Sequence, residues 1–220
     1  MIVFIGVFRK KEVHIGKLWM KYIVYLLLIW GVFFSIELEV FEYLAAVIAC
    51  AGACELIYSR KSGGNKTGML FLFISLAVYS VIAAAFLFFA VQNQSTLIVI
   101  YTGVVVFDGF SQLFGQLFGK HKITPVISPG KTMEGLVGGI IATAAAVYWI
   151  YGNDWVLFVL MTAVTVTGSF TGDLLASWYK RKNGVKDFSE VIPTHGGILD
   201  RYDSFIFSGA LMALALFAGL

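Results

Sequence analysis

Residues 173 to 203 read DLLASWYKRKNGVKDFSEVIPTHGGILDRYD, and in a chain that is 13% charged they hold five acidic residues, five basic residues and one of the three histidines. Ionisable groups beside hydrocarbon are costly, so such crowding next to apolar runs marks a polar site that handles a charged substrate. At helical spacing Asp173, Ser177, Lys180 and Arg181 share one face, along which an acid, a hydroxyl and two bases follow one another. The carboxylate can bind a divalent cation, and the bases can bind phosphate oxygens. Further on, Gly196-Gly197 precede Asp200, Arg201 and Asp203, the two aspartates standing three apart at the start of the last apolar run. Asp173, Asp200 and Asp203 are expected to converge on an oxygen-loving metal such as Mg²⁺, which takes carboxylates together with substrate phosphates. Thr194 or His195, ahead of the paired glycines, would let backbone N–H groups approach a phosphate at the positive end of the following helix. A salt-bridged loop is the plainer reading, but it leaves the two acid stripes, the paired glycines and the histidine unexplained.

Two segments upstream carry chemistry of the same kind. Asp108 sits within VVVFDGFSQLFGQLFGK, followed at helical spacings by Ser111, Gln112, Gly115, Gln116 and Gly119, a stripe that could simply join helices. A lone carboxylate is a poor choice for that purpose, so Asp108 is read as functional. The loop KHKITPVISPGKTMEG spans 120 to 135, and Ser128-Pro129 resembles a helix start with serine as cap and proline at the first position. Lys131 and Thr132 would then lie in the first turn, where the helix dipole favours an anion such as a nucleotide phosphate. Gly135, Gly138 and Gly139 allow close helix packing, either inside the chain or in a homodimer. Glu55 is about one turn from Arg60 and is expected to snorkel or pair locally. Cys50 and Cys54, four apart with no histidine near them, read as packing residues.

The elements that must position these groups are membrane helices. The 220 residues are 59% hydrophobic, with mean hydropathy +0.86, and repeated apolar runs are long enough to cross the roughly 30 Å hydrocarbon core of a bilayer. The pattern predicts an all-α integral membrane protein with about seven spans, near 22–38, 42–59, 68–91, 96–119, 135–151, 155–179 and 203–220. With the N-terminus in the cytoplasm, all sixteen Lys and Arg residues fall in cytoplasmic segments, from Arg9 through Arg60 and Lys122 to Arg201. The opposite side receives Glu37, Glu39, Glu42, Asp154 and an uncharged turn, which is the distribution that membrane insertion favours. A net charge of +3 then suits anionic headgroups or phosphate substrates and calls for no nucleic acid. The first eight residues are apolar but too short to span, and the cluster Arg9, Lys10, Lys11 follows them instead of preceding them, so an interfacial segment is expected in place of a cleaved signal. One membrane domain is the simplest organisation, with N-terminal helices over 1–95 and the site-bearing helices and loops over 96–220.

The whole pattern resembles the phosphatidate cytidylyltransferase family, the CDP-diacylglycerol synthases. The resemblance rests on Ser177-Trp178-Tyr179-Lys180-Arg181, Lys186-Asp187, and Pro193-Thr194-His195-Gly196-Gly197-Ile198-Leu199-Asp200-Arg201-Tyr202-Asp203. Upstream, Asp108 with Gly119-Lys120, and the run from Ser128 to Gly135, are similar to two further family segments. It implies condensation of CTP with an anionic lipid phosphate, phosphatidate, to give CDP-diacylglycerol and pyrophosphate, with Mg²⁺ and a monovalent cation such as K⁺. By that resemblance Asp173 and Asp200 would be metal ligands with Asp203 close by, and Lys180, Arg181, Lys186, His195 and Arg201 would hold phosphates. Ser128, Lys131, Thr132 and Glu134 would form the nucleotide loop, joined by Ser177, Asp187, Gly196, Gly197 and Asp108. It also implies the inner membrane of a prokaryote, with the site facing the cytoplasm. Tyr179 and Tyr202 stand where aliphatic residues are usual, and Ser111-Gln112 replaces an Ala-Tyr pair, so an isoprenoid-type lipid phosphate stays open as the acceptor. A lipid or polyprenol kinase would share the metal, nucleotide and lipid, and a cation transporter would spread its carboxylates along a path through the bilayer.

Overall fold

The computed structural model describes residues 15–63, 67–192 and 196–219, with side chains from Trp19 onward. Thr194, His195, Lys66, the N-terminal apolar run and its basic cluster lie outside the described residues. Seven helices follow in order: α1 (Ile15–Glu37), α2 (Phe41–Ser62), α3 (Met69–Ala90), α4 (Gln94–Phe118), α5 (Met133–Tyr151), α6 (Trp155–Lys182) and α7 (Leu199–Phe217). Among the described residues, the first six are long and apolar enough to cross a membrane. The last has the length but carries Asp200, Arg201 and Asp203 in its opening turns. The chain is an all-α integral membrane protein with one departure: β1 (Lys122–Thr124) and β2 (Ser128–Thr132) pair antiparallel in the loop before α5.

Local chemistry sets the helix ends. Asn93 accepts the N–H of Thr96 at the start of α4, and Asp154 accepts those of Val156 and Leu157 at the start of α6, each satisfying donors that a first helical turn leaves unpaired. Helix α6 stops where Gly184 adopts φ 72°, a left-handed position that lets the N–H of Val185 return to the carbonyl of Lys180 at 3.0 Å. The helix runs to Lys182, three residues past the expected end at 179, so Lys180 and Arg181 stand on the helix as their spacing from Asp173 anticipates.

Between helices in lipid there is no hydrophobic driving force, so close packing must hold the bundle together. A Cβ on Gly138 would stand 2.4 Å from the Phe114 ring, and one on Gly139 would stand 2.0 Å from the Ser111 hydroxyl. The glycine stripe of α5 therefore serves an internal contact with α4. Helices α6 and α7 approach as closely, with Gly168 against Ser208 and Gly172 against the Asp203 backbone. Away from the loops, Phe205 of α7 gathers Phe41, Phe86 and Tyr101 at centroid distances of 5.7, 5.4 and 4.8 Å, tying α7 to α2, α3 and α4. The apolar side chains turned outward, such as Leu27, Leu70, Val81 and Trp149, suit a surface bathed in lipid.

Cys50 and Cys54 are exposed on α2, which corrects their reading as packing residues. Their shared face points away from the bundle, because Ala45, Ile48, Ala49, Gly52, Glu55 and Leu56 supply the buried face.

The loops between α2 and α3, between α4 and α5, and between α6 and α7 meet at one end of the bundle. Thr67 donates to Asn183 Oδ1 at 2.8 Å, Arg181 Nε donates to the Ile127 carbonyl at 3.3 Å, and Tyr179 reaches the Leu56 carbonyl at 2.8 Å. Arg60, Lys61, Lys120, Lys122, Lys131 and the basic end of α6 are thus gathered there, while the α1–α2 and α3–α4 turns share the far end around Glu39, Glu42 and Gln92.

Candidate active site

Asp108 of α4, Lys131 of β2 and Asp173 of α6 line one cavity of about 310 Å³ at the basic end of the bundle. Three stretches that lie far apart in sequence are thereby brought to one place. Lys131 Nζ is 3.1 Å from Asp173 Oδ2, donates to the Phe170 carbonyl at 3.1 Å and stands 4.6 Å from the centre of the Phe170 ring. The Ser177 hydroxyl donates to Asp173 Oδ1 at 3.2 Å, as the four-residue spacing anticipates. Asp203 of α7 lies within electrostatic reach of both Asp108 and Asp173. Ser111, Gln112, Ser128 and Thr132 complete the polar wall.

Among the described residues, no group of three or more His, Cys, Asp or Glu side chains is placed to hold a metal ion by itself. The carboxylates near the cavity are nevertheless of the chemical kind that a hard cation takes together with substrate oxygens. Asp108, Asp173 and Asp203 are half-buried and of like charge, and among the described ion pairs a single lysine touches them. A divalent ion taking carboxylate oxygens together with substrate oxygens would relieve that repulsion.

Asp200, like Asp203, is outside the residues that line the cavity, and it lies within electrostatic reach of Asp203. Its side chain is 1% exposed and its Oδ1 is 2.6 Å from Lys180 Nζ. Oδ2 accepts the N–H groups of Phe188 at 2.8 Å and Gly197 at 2.9 Å. With both oxygens engaged, Asp200 braces the loop from within. Lys180, 10% exposed at its side chain and 5.0 Å from the centre of the Phe188 ring, is held in the same internal pair.

The paired glycines also differ from expectation. Gly196 has φ 81°, and a Cβ there would come 2.9 Å from Asp200 Oδ2. The N–H of Gly197 goes to Asp200, and the N–H groups of Ile198 and Leu199 go to Glu55, at 2.9 Å to Oε1 and 2.7 Å to Oε2. The positive end of α7 is therefore filled by the protein's own carboxylates, and these backbone donors do not face a phosphate. Glu55 does not pair with Arg60, which instead donates to the Thr67 carbonyl through Nε and Nη2 at 3.2 and 3.0 Å. Five residues on a helix of 3.6 per turn put the two on different faces, a spacing that already argued against the local pair.

Residues 128–132 form a strand, not the first helical turn. Lys122 pairs with Thr132 and Thr124 with Ser128, and the helix cap moves to Thr132, whose hydroxyl accepts the Gly135 N–H at 3.2 Å. Proline at 129 suits the strand equally well, since a two-stranded edge does not require its missing N–H. Glu134 turns from the cavity to the hairpin base, accepting the N–H of Lys120 at 3.1 Å and meeting His121 Nδ1 at 2.6 Å. Lys186, Asp187 and Arg201 are exposed around the loop, as is Arg181. Arg181 joins that loop to the hairpin, donating to the Val185 carbonyl at 3.0 Å as well as to Ile127. No motif indicated Tyr25 of α1, which lies within electrostatic reach of Asp108 and Arg201.

A model described as the cytidylyltransferase family matches residues 4–218. A Staphylococcus haemolyticus protein named phosphatidate cytidylyltransferase is 39% identical over 137 residues, covering 59% of this chain and 52% of that protein. A Staphylococcus aureus protein of the same name is 36% identical over 169 residues, 73% of this chain and 65% of its own length. One from Staphylococcus epidermidis is 36% identical over 137 residues. The matched stretches thus span about half to two thirds of these curated relatives.

Proposed function

Because the chain belongs to the cytidylyltransferase family, we propose that it transfers the cytidylyl group of CTP to a membrane lipid phosphate, phosphatidate, giving CDP-diacylglycerol and pyrophosphate. The observation that carries this reading is the cavity where Asp108, Lys131 and Asp173 meet, with carboxylates and a base on facing walls at the basic end of the bundle. Grouping at one end favours it over a transport path, which would distribute acids along the bundle.

A phosphate monoester is already an anionic nucleophile near neutral pH, so no strong base is needed. The lipid phosphate attacks the α-phosphorus of CTP in line; its oxygen forms the new P–O bond as the bond to pyrophosphate breaks. The obstacle is repulsion between two anions. Bound Mg²⁺, held by Asp173 with Asp200 and Asp203 and with Asp108 alongside, would supply charge neutralisation, and K⁺ is a candidate for a second ion there. Lys131, already turned into the cavity, donates to phosphate oxygens and leaves Asp173 free to hold a cation. Arg181, Lys186 and Arg201, exposed around the loop, attract the triphosphate and offset charge gathering on pyrophosphate. Asp187 is exposed on the same rim, and His195 is assigned a phosphate-holding role by its place in the motif alone. The N-terminus and all the basic loops face the cytoplasm of a bacterial cell, so CTP arrives from water while the lipid enters laterally from the inner leaflet.

The test uses purified protein in detergent with Mg²⁺, phosphatidate and CTP labelled at the α- or the γ-phosphate. Label from the α position should enter lipid and label from the γ position should not; the reverse would identify a kinase. Asp173→Asn should lower incorporation at least about 100-fold while the protein still inserts and folds. Wild-type turnover by that variant would sink the assignment, and activity confined to an isoprenoid phosphate would change the acceptor.

A further inference from the structure

Glu55 is 5% exposed and stands on α2, outside every motif of the site. Its described partners are a hydroxyl and two backbone donors more than 130 residues away: Ser189 Oγ at 2.6 Å, Ile198 N at 2.9 Å and Leu199 N at 2.7 Å. Gly197 passes so close that a Cβ would lie 2.6 Å from both carboxylate oxygens. One side chain thus grips the loop on both sides of residues 190–197. Charge-assisted bonds from a carboxylate to N–H groups at a helix N-terminus are strong and directional. The segment they hold leads straight into the site, since Asp200 follows Leu199 directly and Asp203 comes one turn later, within electrostatic reach of Asp173 and Asp200.

We propose that Glu55 is the positioning residue of the site, fixing the N-terminus of α7 so that Asp200 and Asp203 are held in place next to Asp173. This assignment rests on the reading of the Asp108–Asp173 cavity as a cation site. The N-terminal helices thereby contribute directly to the chemistry of the C-terminal half. A carboxylate is required because both oxygens accept. In Glu55→Gln the side-chain amide would turn an NH₂ against the N–H of either Ile198 or Leu199, and the shorter side chain of an aspartate could not span Ser189 and both backbone donors.

The test compares wild type, Glu55→Gln, Ser189→Ala and Asp173→Asn in detergent, without nucleotide or lipid. Hydrogen exchange reads the amides of Ile198 and Leu199, electron paramagnetic resonance reads the affinity for Mn²⁺ as a stand-in for Mg²⁺, and thermal unfolding reads the fold. Glu55→Gln should lose protection at both amides and bind Mn²⁺ about 10- to 100-fold more weakly. Ser189→Ala, which removes one bond and leaves the charge, should show the same changes at a few-fold level, and it carries the test if Glu55→Gln fails to fold. Wild-type Mn²⁺ affinity in Glu55→Gln, or in Ser189→Ala where that is the variant that folds, would overturn the proposal. If Asp173→Asn also left Mn²⁺ binding unchanged, the cation site itself would be refuted. Absence of cytidylyl transfer in the wild type would refute the function alone.

Discussion

Glycines of one chain face opposite constraints, set by the backbone angle and by what stands beside each. Gly196 sits at φ 81° with Asp200 Oδ2 at 2.9 Å from a would-be Cβ, whereas nothing lies within 4 Å of one on Gly130. Left-handed backbone costs an L-residue about 1–2 kcal/mol, so Gly196→Ala should lower stability by about that much, read from denaturant unfolding in detergent. Gly130→Ala should stay within about 0.5 kcal/mol of wild type. Equal losses would mean that the loop does not hold the described conformation. Side-chain identity at the site was legible from the sequence, since Asp108, Lys131, Asp173 and Ser177 do meet. Their neighbours were not all legible. Whether an aspartate in LDRYD faces a substrate or an internal lysine depends on which loop folds over it, and no local spacing encodes that.

Helices α4 and α5 form the wall on which the 122–132 hairpin stands, and their contact depends on the absence of side chains. Phe114 and Ser111 occupy the space that a Cβ on Gly138 or Gly139 would need. Gly139→Ala should therefore push α5 from α4, costing about 1–3 kcal/mol by overpacking and shifting Thr132 and Lys131 relative to Asp173. Both effects can be read, as a lower unfolding midpoint and a raised KM for CTP; a variant with normal stability and KM would show that the helices do not touch there. The glycine spacing announced close packing but left open whether the partner was internal. The hairpin at 122–132 escaped the sequence reading because serine followed by proline satisfies a helix start and an edge strand alike. Cross-strand pairing with Lys122 and Thr124 decided between them.

Across the whole molecule, three loops and their basic residues converge at one end, so the orientation of a single loop implies that of the rest. With Cys50 and Cys54 replaced by alanine, Val126→Cys at the exposed hairpin tip and Asn153→Cys at the far end should react oppositely with an impermeant maleimide. Position 126 should label in inside-out vesicles and position 153 in right-side-out cells; the opposite result would invert the proposed topology. The sequence by itself determined the membrane class, the run of long helices, the segregation of charge between loops and the chemical kinds present at the site. These are properties of composition and period, which act over one element at a time. Only the tertiary structure decided which carboxylates share the cavity, that Lys180 is spent on Asp200, and that Glu55 of the second helix holds the start of the last. Those are contacts between residues 20 to 144 positions apart, selected by how helices pack against one another.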